Sequence, residues 1–307
     1  MGHSYDLLVV GDYCLDLVFT GLPGLPVLGQ EIVSSGFDQI PGGAFTTAVA
    51  AHRLDLRVGW ASDFGNDPYS LFVLAQVRKE GLAEDLFVMH HRSLRNITVS
   101  LSYEQERAFV AFYDPPPSLP AAIHAIASAD ARALVVPGIY TGRLLDAGLF
   151  FVHARRMKLV MDGNSNEQFK LKDPAVRRAI SSADLFMPNA AEALRLTGEN
   201  DLECAARALG RLCALVVIKN GRYGALAVAG EQMIKAPGIP VKAIDTTGAG
   251  DCFNAGFLRA WLDDRPLEEC LRWGNIVGGL STLARGGTGH VTGAKEVHEW
   301  LEKTPKN

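Results

Sequence analysis

The sequence predicts a two-part α/β fold: a doubly wound, mostly parallel sheet with helices on both faces, joined to a small β-sheet lid. Three observations predict it. Short apolar runs rich in β-branched residues alternate with helix-length segments, as crossover connections between parallel strands require. Two stretches break that alternation and read as β-structure outside the main sheet. The 307 residues, 48% hydrophobic and 21% charged, suffice for one substantial core. We read residues 1–307 as a single domain, with the lid drawn from about 12–38 and 92–113.

The first run, "DLLVV", opens the sheet and ends in Gly11 and Asp12. From Asp16 to Gln39 the chain is rich in Gly, Pro and Val with no helical period and is assigned to the lid. "QIPGGAFTTAVAAHRL" turns through Gly42 and Gly43 into a helix, and "RVGWAS" is the next strand. "RNITVSLSY" and "RAFVAFY", at 95–103 and 107–113, read as a hairpin turning through "EQE". Pro115, Pro116 and Pro117 then return the chain to the main body, because consecutive prolines suit neither a helix nor a central strand. "ALVVPG", "KLVMDGN", "DLFMPN" and "CALVVIKNG" supply the remaining strands. Several runs end in residues able to bind something: Asp162 and Asn164, then Asn189, then Lys219, Asn220 and Gly221. In an open parallel sheet, ligands lie beyond the carboxyl ends of the strands, so these residues should meet at one crevice. Turns favour the same small polar residues, which explains any one of them equally well.

Charge and cysteine usage narrow the function. Thirty basic against 34 acidic residues leave a net charge of −4, and the basic ones are scattered. A nucleic-acid footprint is therefore missing, and a small-molecule partner is expected. Five cysteines with no C-x-x-C pair argue against a disulfide framework and against a zinc site, and imply reduced thiols in the cytoplasm. No apolar run reaches the ~18 to 20 residues that span a bilayer, and "MGHSYDLLVV" lacks the features of a signal peptide. The sequon at Asn96 is then read as part of a strand. No G-x-G-x-x-G follows the first strand, no P-loop occurs, and His298-Glu299 lacks the second histidine of H-E-x-x-H.

The stretch "DTTGAGDCFNAGFLRAWL" carries the chemistry. Glycines at 248 and 250 permit positive φ and close approach of a ligand to the backbone. Phe253, Phe257, Ala260 and Trp261 recur at helical spacing, so the loop feeds a helix N-terminus, an anion site by virtue of its unpaired N–H donors. Asp251 alone also fits a stabilising first-turn acid. Together, an anion cradle and a carboxylate on one turn match what phosphoryl transfer to a hydroxyl requires: one part holds developing phosphate charge, the other accepts the proton.

This stretch resembles the second signature of ribokinase-like carbohydrate kinases of the phosphofructokinase B type, whose pattern Asp-Thr-x-Gly-Ala-Gly-Asp is matched by Asp245 to Asp251. The resemblance extends over nearly the whole chain, through the early Gly-Gly, "ASDFGNDPYSLFVLAQVRKEGL", "PNAAEALRLTG", "VVIKNGRYGALA" and "GNIVGGLSTLARGGTG". It implies ATP-dependent, magnesium-assisted phosphorylation of a hydroxyl on a sugar or sugar derivative. Asp251 would be the base, and Gly248, Ala249 and Gly250 the anion hole. Asn189 and Glu192 would organise Mg2+ and its waters. The same pair at N-cap and N3 also reads as a capping box. Asp16, Gly42, Gly43 and Thr47 fall on the acceptor side, while Asp12 matches no fixed family position. Lys219, Gly221, Gly224 and Asn275 align with the ATP groove, although the glycines of "KNGRYG" also suit a hairpin turn. Asp245, Thr247 and the loop from Thr282 to Gly287 resemble a monovalent-cation site, for K+. Family members often dimerise through the lid, so a homodimer is expected.

Two departures fall on the acceptor side. Thr47 stands where many members have asparagine, with Phe45 at a position often small, and only Ser165, Asn166 and Glu167 follow "MDGN" where sugar-acid kinases carry an arginine. The acceptor is thus left open. A nucleoside kinase is the alternative, with Phe45, Phe109 or Phe112 stacking on a base. A non-catalytic sugar- or nucleotide-binding module is the alternative from another class.

Overall fold

The computed structural model describes residues 3–103, 107–114, 116, 120–164, 167–290 and 292–303. The chain begins with β1 (Tyr5–Val10), leaves for β2 (Tyr13–Thr20) and β3 (Gly36–Gly43), and returns through α1 (Ala44–Arg53) and β4 (Val58–Ala61). Next come β5 (Asp63–Phe64), α2 (Pro68–Glu80), β6 (Val88–Met89), β7 (Ile97–Ser102) and β8 (Arg107–Phe112). Strict alternation follows: α3 (Pro120–Ser128), β9 (Ala131–Val136), α4 (Gly142–Ala154), β10 (Lys158–Asp162), α5 (Pro174–Ser181) and β11 (Leu185–Met187). The helices α6 (Ala190–Thr197) and α7 (Leu202–Gly210) precede β12 (Leu215–Lys219), β13 (Ala225–Ala229) and β14 (Gln232–Ala236). Three helices close the chain: α8 (Ala249–Leu262), α9 (Leu267–Ser281) and α10 (Ala294–Lys303).

Eight strands form the main sheet in the order β14-β13-β12-β11-β10-β9-β1-β4. All pairings from β12 to β4 are parallel. Continuous apolar runs are what such strands need, because alternate residues face different cores. In β1, Leu7 and Val9 join the core beneath α1, α2, α8 and α9, whereas Leu8 and Val10 join the core beneath α3 to α7. In β12, Leu215 and Val217 divide from Val216 and Ile218 in the same way. Each of the six runs expected as strands lies in this sheet.

One part of the sheet was not foreseen. β13 and β14 are antiparallel, reached through a 3-10 turn at Gly221–Tyr223 and a second turn at Gly230. So short a connection cannot cross over, and "KNGRYG" is a hairpin turn as well as a wall of the cleft described below.

The smaller sheet has the order β3-β2-β7-β8, with β2 antiparallel to β3, parallel to β7, and β7 antiparallel to β8. The hairpin read at 95–103 and 107–113 corresponds to β7 and β8, paired from Ile97 with Phe112 to Ser102 with Arg107. Its expected turn, Glu104 to Glu106, lies outside the described residues, as do Pro115 and Pro117 of the proline cluster and Ser165 and Asn166 after "MDGN". No helix among the described residues is long and apolar enough to cross a membrane.

Candidate active site

A cleft of about 910 Å³ opens beyond the carboxyl ends of the parallel strands, where an open α/β sheet binds ligands. Of the strand-end residues expected at one crevice, Asp12, Asp162, Asn164, Asn189, Lys219 and Gly221 line it, whereas Gly11 and Asn220 are not among its lining residues. At one end the small sheet and its flanks contribute Cys14, Asn96 and Tyr113; at the other stand Gly224, Asn275 and Gly278. Between them lies the first turn of α8, with Ala249, Gly250 and Asp251.

That turn is built around one obligatory glycine. Gly248 is the N-cap at φ 72°, and a Cβ there would lie 2.8 Å from the Gly287 Cα. Gly250 differs from the reading above: it sits inside the helix without positive φ. Its missing side chain leaves room for Lys219, whose Nζ would stand 3.7 Å from a Cβ at 250. Ala249 also differs, because its amide donates to the Thr246 carbonyl at 3.3 Å and so closes the turn. The amides of Gly250 and Asp251 have no backbone acceptor among the described residues, as the first donors of a helix should not.

The Asp251 carboxyl sits in the cleft wall and accepts a hydrogen bond from the Thr47 hydroxyl at 2.9 Å. Thr47, expected on the substrate, thus spends its donor on orienting Asp251. Burial pushes Asp251 up to about 6, the Asp162 charge adds to the rise, and the Lys219 ammonium and Thr47 hydroxyl oppose it. A carboxyl titrating near 6 is largely ionised at neutral pH yet able to take a proton. Behind it, Lys219 Nζ donates to Asp162 Oδ2 at 2.9 Å and to Asn254 Oδ1 at 3.1 Å, and Asn254 Nδ2 also donates to Asp162.

Asn189 and Glu192 form a full capping box at the start of α6, with the Asn189 amide donating to Glu192 Oε2 at 2.8 Å and the Glu192 amide to Asn189 Oδ1 at 2.9 Å. Burial raises the Glu192 carboxyl above its ordinary range. Among the described residues, no group of three or more His, Cys, Asp or Glu side chains is arranged to hold a metal.

Of the residues expected on the acceptor side, Gly43 caps α1 at φ 66°, and a Cβ there would come within 2.7 Å of the Asp12 carbonyl. Gly42 packs against Asp16, whose Oδ2 would lie 3.2 Å from an added Cβ. Asp16 is not among the residues lining the cleft; it stands beside Cys14, whose thiol donates to its Oδ1 at 3.5 Å. Burial pushes Asp16 up to about 6. Asp12, given no fixed role from sequence, does line the cleft, and burial together with the Asp63 charge pushes it too up to about 6.

At the other end, Asn275 Nδ2 donates to the Ala236 and Pro237 carbonyls, both at 3.0 Å, so its amide clamps the exit of β14. Gly224 is held at φ 91°, where a Cβ would overlap the Ala236 carbonyl oxygen at 2.1 Å. Asp245 accepts from the Thr247 and Gly286 amides, each at 2.9 Å, which ties the α8 loop to the segment from Thr282 to Gly287.

The aromatic residues considered for base stacking fall elsewhere. Phe45 is buried edge-on against Trp60 with centroids 5.9 Å apart, while Phe109 and Phe112 are exposed, and none of the three lines the cleft. Sequence reasoning missed Cys14, Asn96, Tyr113 and Asn254. Two carried a usable signal: Cys14 precedes Asp16 by two residues on a strand, and Asn254 follows Asp251 by three on a helix, so each pair shares a side of its element.

A doubly wound sheet, with a helix N-terminus and a Lys219–Asp162–Asn254 network in the wall of this cleft, defines an α/β protein whose cleft sets backbone donors beside a carboxylate. Comparison with known proteins states the class. Residues 6–292 match the model of the pfkB family carbohydrate kinases. The chain is 26% identical to a ribokinase of Bacillus subtilis over 300 residues, covering 96% of this chain and 99% of the relative. It is 36% identical to a cytidine kinase of Thermococcus kodakarensis over 124 residues, covering 39% and 44%. Its fold is similar to that of Arabidopsis thaliana ribokinase complexed with ribose and ATP, with TM-score 0.80, 20% identity and coverage of 98% and 99%. A structure described as a ribokinase II of E. coli in complex with ATP and Mg2+ is similar at TM-score 0.75, 17% identity and coverage of 97% and 99%. The chain belongs to the pfkB family of carbohydrate kinases. It is a phosphotransferase that acts on a sugar hydroxyl.

Proposed function

We propose that this protein transfers the γ-phosphoryl group of ATP to the primary alcohol of a sugar or sugar derivative, with Asp251 as the base. One observation carries the reading: the Asp251 carboxyl and the Gly250 amide, which has no backbone acceptor among the described residues, belong to one turn in the cleft wall. The acceptor would enter at the Cys14 and Tyr113 end, beside Asp12, Asp16, Gly42 and Gly43, and the nucleotide at the Gly221, Gly224 and Asn275 end. Relatives that bind ribose with ATP, or ATP with Mg2+, support the assignment of ligands. The small sheet acts as a lid whose closure excludes water as a competing acceptor.

Mg2+ would sit near Glu192 and Asn189, whose hard oxygens suit a dication that keeps several of its waters. Glu192 commits Oε2 to the capping box, so its Oε1 would face the ion or one of its waters. When bound, the ion neutralises charge on the triphosphate. Glu192→Gln should raise the Mg2+ concentration for half-maximal activity by roughly tenfold; an unchanged titration would leave Glu192 as a cap alone. Asp245, Thr247 and the carbonyls of residues 282–287 are proposed as a K+ site.

The test is an ADP-release screen over pentoses, hexoses, sugar acids, sugar phosphates and nucleosides, with and without K+. A nucleoside acceptor is the second reading, favoured by the likeness to a cytidine kinase. The displacement of Phe45, Phe109 and Phe112 from the cleft counts against it. A purely binding module is disfavoured because a sensor has no use for an oriented base.

We further propose a homodimer through the lid. Among the described residues its outer strands β3 and β8 pair with no further strand, and Phe37, Phe109, Val110 and Phe112 are at least half exposed. Light scattering should report twice the chain mass of 33.1 kDa; a monomer at micromolar concentration would count against pairing. Five unpaired cysteines agree with the reducing cytoplasm, the compartment we propose.

A further inference from the structure

Phosphoryl transfer gathers several negative charges at one point, and a cleft that catalyses it needs enclosed cations to meet them. Among the described residues that line this cleft, two are cationic: Lys219 and Arg222. Arg222 is exposed, donates to its neighbour Tyr223 at 2.8 Å and lies over that ring at 4.9 Å, so its guanidinium is engaged outside the reaction centre. Lys219 is the opposite case. Its side chain is 12% exposed, and it projects from the end of β12 over the first turn of α8. Two of its three N–H donors are held by Asp162 and Asn254, at 2.9 and 3.1 Å. Nothing among the described residues takes the third. Gly250 lies beside the same ammonium, with 3.7 Å between Nζ and the place a Cβ would occupy. Helix spacing puts Gly250 and Asn254 one above the other, so Lys219 rests along the turn that carries Asp251.

We propose that Lys219 is a catalytic residue whose remaining donor binds an oxygen of the transferring phosphoryl group, while Asp162 and Asn254 hold it in place. This role rests on the kinase reading above and goes beyond lining the nucleotide groove. In the step itself, the acceptor oxygen forms a bond to the γ-phosphorus as its proton passes to Asp251. The bond between the γ-phosphorus and the β–γ bridging oxygen breaks, and ADP leaves with the electron pair. Lys219 neither gains nor loses a proton; it offsets charge on the equatorial oxygens. A methyl at 250 would already lie 3.7 Å from the ammonium, so glycine there leaves the space beside Lys219 open.

The same arrangement sets the protonation of the base. Asp251 faces Asp162 from β10, Lys219 from β12 and Thr47 from α1; the first favours its neutral form, and the other two favour its charged form. Removing Lys219 should therefore move the acid limb of the kcat profile to higher pH, whereas Asp162→Asn should move it lower.

The experiment compares wild type, K219M, K219R, the K219M/D162N double variant and D251N in steady-state kinetics with the best acceptor from the screen. The double variant removes both charges of the Lys219–Asp162 pair together, so Asp162 is not left as an uncompensated buried carboxylate. Melting temperatures check that it folds. The expected result is a fall in kcat of at least about 10²-fold in K219M and in the double variant, with acceptor KM changed less than about threefold. K219R should recover part of the loss. A kcat within about threefold of wild type in the folded double variant would overturn the proposal. So would a loss confined to the KM for ATP, which would return Lys219 to the groove. D251N separates the two claims: if it keeps wild-type turnover the base assignment fails, and if it alone is inactive while K219M is normal, only the Lys219 role is lost.

Discussion

Asp251→Asn is expected to lower turnover by about 10² or more while the protein remains folded. Asparagine keeps the shape and can still meet the Thr47 hydroxyl, which donates at 2.9 Å in the native protein. What it loses is the capacity to take a proton. The native carboxyl is pushed up to about 6 by burial first and by the Asp162 charge second. A group whose pKa is raised in the folded state is destabilising when ionised, so removing its charge should leave stability unchanged or slightly improved at neutral pH. As pH falls through about 6 the carboxyl protonates, and wild-type activity should fall with it. Thermal melting and steady-state turnover on the same preparation check both halves. A folded D251N variant with near-normal turnover would remove the base assignment.

Gly248→Ala should cost both stability and catalysis. The residue holds φ 72°, in the left-handed region, and a Cβ would lie 2.8 Å from the Gly287 Cα and 3.0 Å from the Thr46 Cγ2. Strain of this kind costs about 1–3 kcal/mol. The overlap is with backbone, so the segment from Thr282 to Gly287 must shift. That segment is tied to the same turn through Asp245, which accepts from the Gly286 amide, and through the Cys252 thiol, which donates to the Gly287 carbonyl at 3.0 Å. A displacement approaching 1 Å at the amide cradle can lower turnover by roughly 10²-fold. Gly250→Ala is the contrast for stability: its Cβ meets nothing closer than 3.7 Å, and alanine gains up to about 1 kcal/mol of helix propensity. Equal destabilisation by the two substitutions would show that Gly248 is not the strained member of the pair.

The parallel sheet was legible because its strands are buried on both faces and therefore read as unbroken apolar runs. Helix α8 was legible from its 3.6-residue spacing, and the β7–β8 hairpin from β-branched alternation. β13 and β14 were not, since "ALAVA" and "QMIKA" carry little β-branched character and owe their pairing to β12. The same limit governs the site. "DTTGAGD" announces a glycine-rich helix start but cannot say which glycine takes positive φ; that is decided by the approach of Gly287. Thr47 and Asp251 are 204 residues apart, and only the packing of α1 beside α8 joins them. Asn275 reads as a groove residue until its donors are seen on the Ala236 and Pro237 carbonyls. Local signals fix what a segment can do, and tertiary contacts decide which of those options it uses.

The most direct measurement of the central claim is a rapid-quench single turnover. Enzyme in excess is loaded with γ-labelled ATP and Mg2+ and mixed with the acceptor found in the screen, in wild type and D251N. The account predicts acceptor-dependent transfer of the labelled phosphoryl group in wild type, slowed by at least about 10²-fold in D251N, with ATP affinity nearly unchanged. Equal transfer rates in the two proteins, or label released only as inorganic phosphate whatever acceptor is present, would contradict it.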